Sequence, residues 1–446
     1  MAVANLIDAA EAVAGRGSAR APSPSDAVDG VTPQVIVEPS DAQAVANTLS
    51  WAFREKLSVL IRGSGTKLGW GPTPRAFDVL LSTTRLNSVT AHRHGDLTAT
   101  VQAGATLAHT NEQLARHRQW IPLDPPAAGR ATIGGLVATN DSGPRRHRYG
   151  APRDLIIGVE LARADGRIAK GGGIVVKNVA GYDLPRLMTG SFGSLGVILS
   201  ATFKLYPMPT ASRTVVVDLR DPAELGTLAA KVLASPLAPT TLEFELSPPQ
   251  HPLQHPSAAA APGAPLQHPS AAAAPGAPLR ALIRFESIET AVEQQAQEAF
   301  RLARNNSSRI VGGEDEEALW EQHSRRPWDG DGAVVKVSVL PTELPGLLRW
   351  LSQSSGSTEV SGRAGLSVFL ARIGGSAEAQ ARLISGLRDM SPPGRGSVVI
   401  VRGSPELKSL VDVWGPIGDG LPLMRAVKQQ FDPAGILNPG RGPGGI

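Results

Sequence analysis

Apolar and polar residues follow two patterns along the first half of the chain. After Ser40, the apolar residues Val45, Leu49 and Phe53 lie four positions apart and predict an amphipathic helix. Apolar runs on both sides of Asp165–Gly166 predict a β-hairpin, because this dipeptide favours a tight turn. Further short apolar runs predict strands at 34–37, 59–61, 78–81 and 97–102.

From about residue 210 the two patterns alternate more regularly. Strand-like runs at 215–219, 280–285 and 333–340 are each followed by helical spacing. This alternation predicts a second, smaller α/β domain. A last helix at 423–430 is followed by turn residues at 432–440.

The second half also contains a tandem repeat. The segment PLQHPSAAAAPGA occupies 252–264 and again 265–277. Its proline and alanine content argues against a packed element, so we expect a disordered insertion at 250–279 in a surface loop. The repeat brings His255 and His268, which we do not expect to bind a metal.

Composition narrows the possible chemistry. The 446 residues include 44 Lys and Arg against 40 Asp and Glu, a balance that gives little support for nucleic-acid binding. Cysteine is absent, which excludes thiolate-bound iron–sulfur clusters, disulfides and thiol nucleophiles, so redox chemistry would need an organic cofactor. We find no signal-peptide core and no apolar run of membrane-spanning length, and we expect a cytoplasmic protein.

A glycine-rich loop directly follows the strand at 59–61. Glycine occupies positions 63, 65, 69 and 71, a pattern typical of loops that bind a phosphate through backbone N–H groups. The alternative is a surface turn without function. Leu68 stands where a Rossmann fingerprint needs glycine, and Thr66–Lys67 reverses the Walker order, so neither of these motifs is present.

Two later segments have the same character. The segment 121–150 combines three prolines, which exclude a continuous helix, with many small residues. Gly193–Gly196 leads into a strand-like run that ends near Pro207. Three small-residue loops next to strands favour a site for a flat ligand over three idle turns.

These segments resemble the three flavin-contacting stretches of the vanillyl-alcohol-oxidase or PCMH type of FAD-binding fold. The resemblance is carried by Arg62–Lys67, by Thr132–Gly135 within 125–143, and by Gly193–Ile198. The tail 431–440 resembles the closing motif of the branch of D-lactate and glycolate dehydrogenases. The resemblance to this family covers residues 30–208 and 420–441 well. Three stretches narrow it to the FAD-binding E subunits of bacterial glycolate oxidases, namely 65–71, 177–183 and 335–341.

The resemblance implies an α+β architecture with a two-subdomain PCMH-type FAD-binding domain, a smaller α/β cap domain and a C-terminal helix that returns to the FAD-binding domain. The implied parts are an N-terminal arm at 1–29, the FAD-binding domain at 30–209, the cap at 210–420 and the C-terminal segment at 421–446.

The resemblance also implies the cofactor and its contacts. Relatives that bond the flavin covalently use a histidine where this loop has Thr66, so non-covalent FAD is expected. No metal is expected. The implied FAD contacts are Arg62, Gly63, Ser64, Gly65, Thr66, Lys67, Pro125, Thr132, Ile133, Gly134, Gly135, Ala138, Thr139, Asn140, Ser142, Gly143, Gly193, Gly196, Val197, Ile198 and Asn438.

Catalytic residues are harder to place. Related hydroxy-acid dehydrogenases carry a His-x-Gly-Asp-Gly-Asn-x-His motif in the cap, and here no histidine follows His323. Without a base near the substrate hydroxyl, alcohol oxidation would be slow. The candidates are Arg325 and Arg326, as cap arginines for a carboxylate, and His147, beside the second glycine segment.

The resemblance implies a role within a complex. It predicts the FAD-binding subunit of a glycolate oxidase, which supports oxidation of glycolate to glyoxylate through flavin electron transfer. The expected partners are a catalytic flavin subunit with the histidine motif and an iron–sulfur subunit, and docking of the complex on the inner face of the membrane stays open. Two alternatives are a standalone FAD-dependent dehydrogenase of 2-hydroxy acids or sugar lactones, and a non-catalytic scaffold.

Overall fold

The structure, a computed structural model, describes residues 3–174, 181–247, 279–303, 307–354, 358–392 and 394–446. The expected insertion at 250–279 lies outside the described residues except for its last position, and so do His255 and His268. Residues 177–180 of the narrower resemblance also lie outside them.

The first subdomain is a four-stranded sheet in the order β1-β2-β4-β3, in which β2, β4 and β3 are parallel. Its buried helix α2 begins after Asp41, whose carboxylate accepts a hydrogen bond of 2.8 Å from the N–H of Ala44. The elements are α1 (Val3–Ala14), β1 (Ala19–Arg20), β2 (Val35–Val37), α2 (Ala42–Glu55), β3 (Val59–Arg62) and β4 (Val79–Ser82).

The N-terminal arm expected at 1–29 is integrated into this subdomain over its described residues. Strand β1 pairs with β2, and Leu6 and Ala10 of α1 are buried against α2. Asp26 is buried and binds both Arg20 and Arg62, and the Arg20 hydrogen bond holds the pKa of Asp26 well below its usual range. An ion pair at long sequence separation leaves no periodic signal, which is why the pattern did not reveal it.

The second subdomain is an antiparallel sheet in the order β5-β6-β10-β8-β9. The hairpin predicted at Asp165–Gly166 is confirmed by the pairing of β8 with β9. The elements are β5 (Val89–Arg93), β6 (Thr98–Gln102), α3 (Leu107–Ala115), β7 (Gln119–Trp120), α4 (Ile133–Thr139), α5 (Arg146–Tyr149), α6 (Pro152–Leu155), β8 (Ile156–Ala162), β9 (Ile168–Gly172), α7 (Leu184–Met188), β10 (Val197–Lys204) and β11 (Tyr206–Pro207).

The cap is built from two units with the same βαββαβ order, which is the ferredoxin-like arrangement. The first unit contains β12 (Ala211–Leu219), α8 (Pro222–Leu233), β13 (Thr241–Leu246), β14 (Leu279–Ser287), α9 (Glu289–Leu302) and β15 (Ser308–Val311). After the linking helix α10 (Gly313–Arg325), the second unit contains β16 (Ala333–Ser338), α11 (Leu344–Gln353), β17 (Thr358–Arg363), β18 (Val368–Ile373), α12 (Ala377–Met390) and β19 (Ser397–Arg402).

The two units join through β13 and β17 into one eight-stranded sheet. Helices and strands alternate as predicted, but all neighbouring strands are antiparallel, which accords with the α+β class. Side chains alternate across the sheet, so Leu242 and Phe244 enter the core under the helices while Glu243 and Glu245 lie on the opposite face. That second face carries the polar groups of the candidate site.

Helix α13 (Pro405–Leu410) packs on the cap core through Leu407, and α14 (Leu421–Phe431) packs on the second subdomain through Val427 and Phe431, before the chain returns to the first subdomain at its end. Leu437 forms a parallel bridge with Val59, and the N–H of Asn438 donates to the Val59 carbonyl at 2.8 Å. The tail thereby adds one more extended segment to the edge of β3.

Candidate cofactor cleft and cap cavity

A cleft of about 800 Å³ lies between the two subdomains, and we call it the main cleft. All three predicted glycine segments and the tail contribute to its walls. The predicted residues that line it are Arg62, Gly63, Ser64, Gly65, Thr66, Lys67, Thr132, Gly134, Gly135, Ala138, Thr139, Gly193, Ile198 and Asn438.

The first loop packs tightly on the second segment at Gly63. A Cβ atom at this position would lie 2.1 Å from the Thr132 Oγ1, so only glycine allows the approach. Gly65 has a φ of +82°, a conformation that other residues rarely adopt. The buried hydroxyl of Ser64 has no hydrogen-bond partner among the described residues. A buried polar atom of this kind is the feature expected where a polar ligand binds.

Cations bind the carbonyl groups of the first loop. Arg441 donates to the carbonyls of Leu68, Trp70 and Pro72, and Lys408 donates to that of Gly69 at 2.7 Å. Burial lowers the pKa of Arg441 and of Lys408. The loop conformation is therefore set by the tail and the cap together.

Asn438 joins the tail to two walls of the main cleft. Its Oδ1 accepts a hydrogen bond of 3.0 Å from the Ile61 N–H, and its Nδ2 donates to the carbonyl of Phe192. Phe192 has a φ of +51°, which is unusual for a bulky residue and needs support from its neighbours. The amide of Asn438 provides that support.

We predict that Asn438→Ala lowers affinity for a ligand in the main cleft by about 5- to 150-fold. The change leaves the Ile61 N–H and the Phe192 carbonyl without a partner, at a cost of about 1 to 3 kcal/mol. Asn47→Ala, at an exposed position on α2, is the control and should have no effect. Equilibrium titration of each purified variant with the ligand of the main cleft measures the affinity. Equal affinities for both variants would contradict the prediction.

Several predicted contacts lie away from the main cleft. The side chains of Ile133 and Val197 are fully buried in hydrophobic cores, and Pro125 is also buried. Gly196 packs against the Ala162 carbonyl. Asn140 ends α4 and accepts a hydrogen bond from the Arg153 N–H at 3.2 Å.

Sequence reasoning missed the large side chains of the main cleft. Trp70, Phe192 and Arg441 line it although none of them belongs to a predicted contact set. Trp70 and Phe192 are tilted aromatic neighbours, with ring centroids 6.5 Å apart. Gly71 beside Trp70 was the available signal, because its φ of +84° and its approach to the Arg441 carbonyl favour glycine there.

A second cavity of about 590 Å³, which we call the cap cavity, lies between the second glycine segment and the polar face of the cap sheet. Ser142 and Gly143 of the predicted set line it. Trp70 lines both cavities, and the Lys67 ammonium of the main cleft lies 3.2 Å from the Asp141 carboxylate of the cap cavity. The two spaces therefore adjoin along these residues.

A buried network of charges forms one wall of the cap cavity. The Nδ1 of His323 lies 2.7 Å from Glu245, and its Nε2 lies 3.2 Å from Glu243. Burial alone would lower the pKa of His323, but these hydrogen bonds outweigh it and raise the pKa to about 9. Burial favours a high pKa for Glu245, yet His323, Arg280 and Arg326 hold it well below its usual range.

Two cations face the same cavity. Burial, together with the nearby charge of Arg363, lowers the pKa of Lys336 to about 8. The guanidinium of Arg363 donates to the carbonyls of Gly143, at 3.1 Å, and Ser142. Arg363 thereby links the cap to the second glycine segment. The cap cavity can accept a small anionic ligand.

None of the three predicted catalytic candidates lines the cap cavity. Arg325 is 62% exposed, with Glu321 and Asp329 each 3.5 Å away. Arg326 is buried and pairs with Ser247 and Glu245 behind the cavity wall. A helix turns by about 100° per residue, so Arg326 shares the inner face of α10 with His323 while Arg325 points outward.

His147 packs against the turn at Gly365 instead of facing the cavity, and burial lowers its pKa. The histidine that does line the cavity, His323, was seen in the sequence only as the last histidine of the chain. Its signal was the spacing of Trp320, His323 and Arg326, three residues apart on one helix face. Within the described ranges, no group of three or more His, Asp or Glu residues has the geometry to hold a metal.

Residues 33–172 match the family described as "FAD binding domain", and residues 417–441 match the C-terminal domain of FAD-linked oxidases. Both matched regions line the main cleft, together with the third glycine segment. Its glycine-lined walls and the unpartnered Ser64 hydroxyl fit a dinucleotide of this kind. Among the helices of the described residues, none has the length and hydrophobicity that a membrane span requires.

Two curated relatives are subunits of glycolate oxidase. Subunit GlcD of Bacillus subtilis is 32% identical over 48% of this chain and 45% of its own length. Subunit GlcE of Escherichia coli is 36% identical over 38% of this chain and 49% of its own length. The chain thus covers less than half the length of these relatives.

The structure of a chitooligosaccharide oxidase is similar over 98% of both chains, with a TM-score of 0.66 and 15% identity. This likeness confirms the predicted α+β fold of PCMH-type FAD oxidases. The family matches confirm the predicted cofactor, FAD, and the predicted class of FAD-dependent oxidoreductase.

Proposed function

Because the chain carries the FAD-binding domain and the C-terminal segment of the FAD-linked oxidases, we propose that it is an FAD-binding subunit of a complex that oxidises glycolate to glyoxylate. The observation that carries this proposal is the junction of the two cavities. A glycine-walled cleft for the cofactor adjoins a cavity with Lys336 and Arg363, which suit a small carboxylate substrate.

Each wall of the main cleft would hold a different part of the cofactor. The loop at 62–67 would bind the pyrophosphate, the segment at 132–143 would lie along the flavin, and Gly193 with Ile198 would close over the adenine side. FAD, when bound, supplies the two-electron acceptor. Thr66 and the lack of histidine among the residues that line the main cleft support a cofactor without a covalent bond.

The proposal includes partner subunits. The chain has no cysteine, so electrons would pass from its FAD to an iron–sulfur subunit of the complex. A sister flavin subunit would carry the histidine motif that this chain lacks. The similarity to GlcE as well as GlcD supports the subunit role, with an E-type subunit as the finer assignment. A cytoplasmic location at the inner face of the membrane belongs to the same proposal.

A specific observation favours one alternative. Glu243, His323 and Lys336 give the cap cavity its own titratable groups, although the histidine motif is absent. With these groups the chain could oxidise a 2-hydroxy acid without a partner, as a standalone dehydrogenase. The two roles share the same FAD and differ in where the substrate reacts.

The visible spectrum of the purified chain tests the cofactor. We expect a yellow protein whose FAD is released by acid precipitation, as non-covalent binding requires. Coexpression with its neighbouring flavin and iron–sulfur subunits then tests the role, with glycolate-dependent dye reduction as the readout. A complex with full activity in the absence of this chain would exclude the proposal. A colourless chain that binds no added FAD, but is needed to assemble the complex, would make it a scaffold.

A further inference from the structure

We propose that Glu243 accepts the hydroxyl proton of the substrate in the cap cavity, with His323 and Glu245 as positioning residues. The inference rests on the proposed function, since it requires FAD in the main cleft and a 2-hydroxy acid beside it. It replaces the expected histidine base by a carboxylate from a different element, β13. The geometry of the buried network points to this role.

Glu243 is 2% exposed and lines the cap cavity. Its Oε2 lies 3.2 Å from the Nε2 of His323, whereas its Oε1 is buried and has no hydrogen-bond partner among the described residues. The Nε of Arg363 lies 4.0 Å from that oxygen. A buried carboxylate oxygen without a donor is costly, and a substrate hydroxyl would supply the missing donor.

His323 holds this carboxylate in place. With both ring nitrogens next to carboxylates and a pKa raised to about 9, the imidazole is protonated at neutral pH and donates to Glu243 and Glu245. Its hydrogen bond to Glu243 is made to Oε2, so Oε1 is the oxygen left to take up a proton. The side chain of Glu243 is also held in one orientation, with Oε1 left for the ligand.

The charged groups around Glu243 come from every element that packs near it. Strand β13 itself contributes Glu245, helix α10 contributes His323, strand β16 contributes Lys336, and the end of β17 contributes Arg363. Behind these lie Arg280 of β14 and Arg326, which follows α10, both paired with Glu245. The FAD-binding domain contributes Asp141, Asp124 and His147. The residues that line the cavity include Lys336 and Arg363, which are suited to bind the carboxylate of a hydroxy acid.

The proposed reaction balances with the groups on hand. The substrate α-carbon loses its hydrogen together with the C–H electron pair, which goes to the two-electron acceptor. The O–H bond breaks, its proton goes to Glu243 Oε1, and its electron pair forms the C=O bond of the 2-oxo acid. Glu243 then releases the proton once the product has left.

Anaerobic reduction of the FAD-loaded chain by glycolate and by D-lactate, without partners, tests the assignment. We expect Glu243→Gln to slow flavin reduction by about 10²- to 10⁴-fold, the range of general-base catalysis. Glu321→Gln makes the same chemical change at a side chain that is 71% exposed on α10, and it should leave the rate unchanged. Reduction of Glu243→Gln within threefold of wild type would overturn the proposal.

Binding of oxalate gives a readout that does not depend on turnover. Oxalate carries carboxylates but no hydroxyl proton, and it can be titrated through its perturbation of the flavin spectrum. We expect Glu243→Gln to bind oxalate at least as tightly as wild type, because the change removes a negative charge. A tenfold loss of oxalate affinity would assign Glu243 to binding and not to proton transfer, and would overturn the proposal.

A second variant keeps the test decisive if Glu243→Gln loses FAD. Glu243→Asp retains the carboxylate and should keep measurable flavin reduction. A Glu243→Asp variant that binds FAD but is reduced by neither acid would contradict a carboxylate base at this position. If wild type binds FAD but neither acid reduces it, this inference fails while the subunit role stands; if wild type binds no FAD, the proposed function itself fails.

Discussion

Replacing His323 by glutamine is expected to lower the free energy of unfolding by about 3 to 5 kcal/mol at pH 7. The imidazole is fully enclosed and binds Glu243 and Glu245 through its two nitrogens. Its removal leaves two carboxylates, both almost fully buried, without the cation between them. Urea denaturation followed by tryptophan fluorescence measures the loss, since Trp320 lies 5.2 Å from the His323 ring.

The same contact makes stability depend on pH. The pKa of His323 is about 9 in the folded chain, and that of an unfolded histidine is about 6.5. The folded state therefore holds the proton more tightly than the unfolded state. The full contribution of His323 to the free energy of unfolding is present below pH 6.5 and is lost as the pH rises through 9. This part of the pH dependence should disappear in His323→Gln.

His109→Gln serves as the control, because that side chain is 53% exposed and should change stability by less than about 0.5 kcal/mol. The double variant of His323→Gln with Glu243→Gln replaces the imidazolium and the Glu243 carboxylate by neutral amides. It should recover part of the lost free energy of unfolding. A loss below about 1 kcal/mol for His323→Gln would show that the buried network does not depend on the imidazolium.

Gly63→Ala is expected to weaken FAD binding by about 5- to 150-fold, which corresponds to 1 to 3 kcal/mol of overpacking. The new methyl group would lie 2.1 Å from the Thr132 Oγ1 and would push the first glycine loop away from the second segment. Both segments line the main cleft, so the displacement changes the walls that hold the cofactor. Titration of apoprotein with FAD, followed by flavin fluorescence, measures the affinity.

Gly69→Ala is the matched control in the same loop, because a Cβ there meets no atom within 4 Å and the residue does not need a positive φ. Its FAD affinity should equal that of wild type. Combining Gly63→Ala with Thr132→Ala removes the clashing oxygen and should restore part of the affinity. If Gly63→Ala and Gly69→Ala bind FAD equally, steric contact between the two segments does not control the cleft.

The main cleft could be predicted from the sequence because glycine occurs where the local backbone conformation or packing excludes a side chain. Gly63 and Gly65 mark positions where a side chain or a negative φ does not fit, and these needs arise within a few residues of the chain. Asn438 was expected from the resemblance of the tail 431–440 to a known closing motif. Ile133 and Val197 belong to the same segments, but alternation turns their side chains into the core.

The cap cavity could not be predicted in the same way. Glu243, His323, Lys336 and Arg363 come from four elements spread over 120 residues, and only the pairing of the cap sheet brings them to one face. The sequence showed that a histidine motif was missing, but it did not show which groups stand in its place. The sequence did not distinguish Arg325 from Arg326. The helical geometry of this segment exposes Arg325 to solvent and buries Arg326.

The sequence by itself determined the loops that surround the main cleft, because small residues at fixed positions are a local requirement of backbone geometry, and the cofactor class followed from their resemblance to a family of FAD-binding proteins. Tertiary structure alone decided which charged groups face the cap cavity. Charges have no periodic signal of their own, and their pKa values depend on burial and on partners distant in sequence, as the imidazole of His323 between two carboxylates shows.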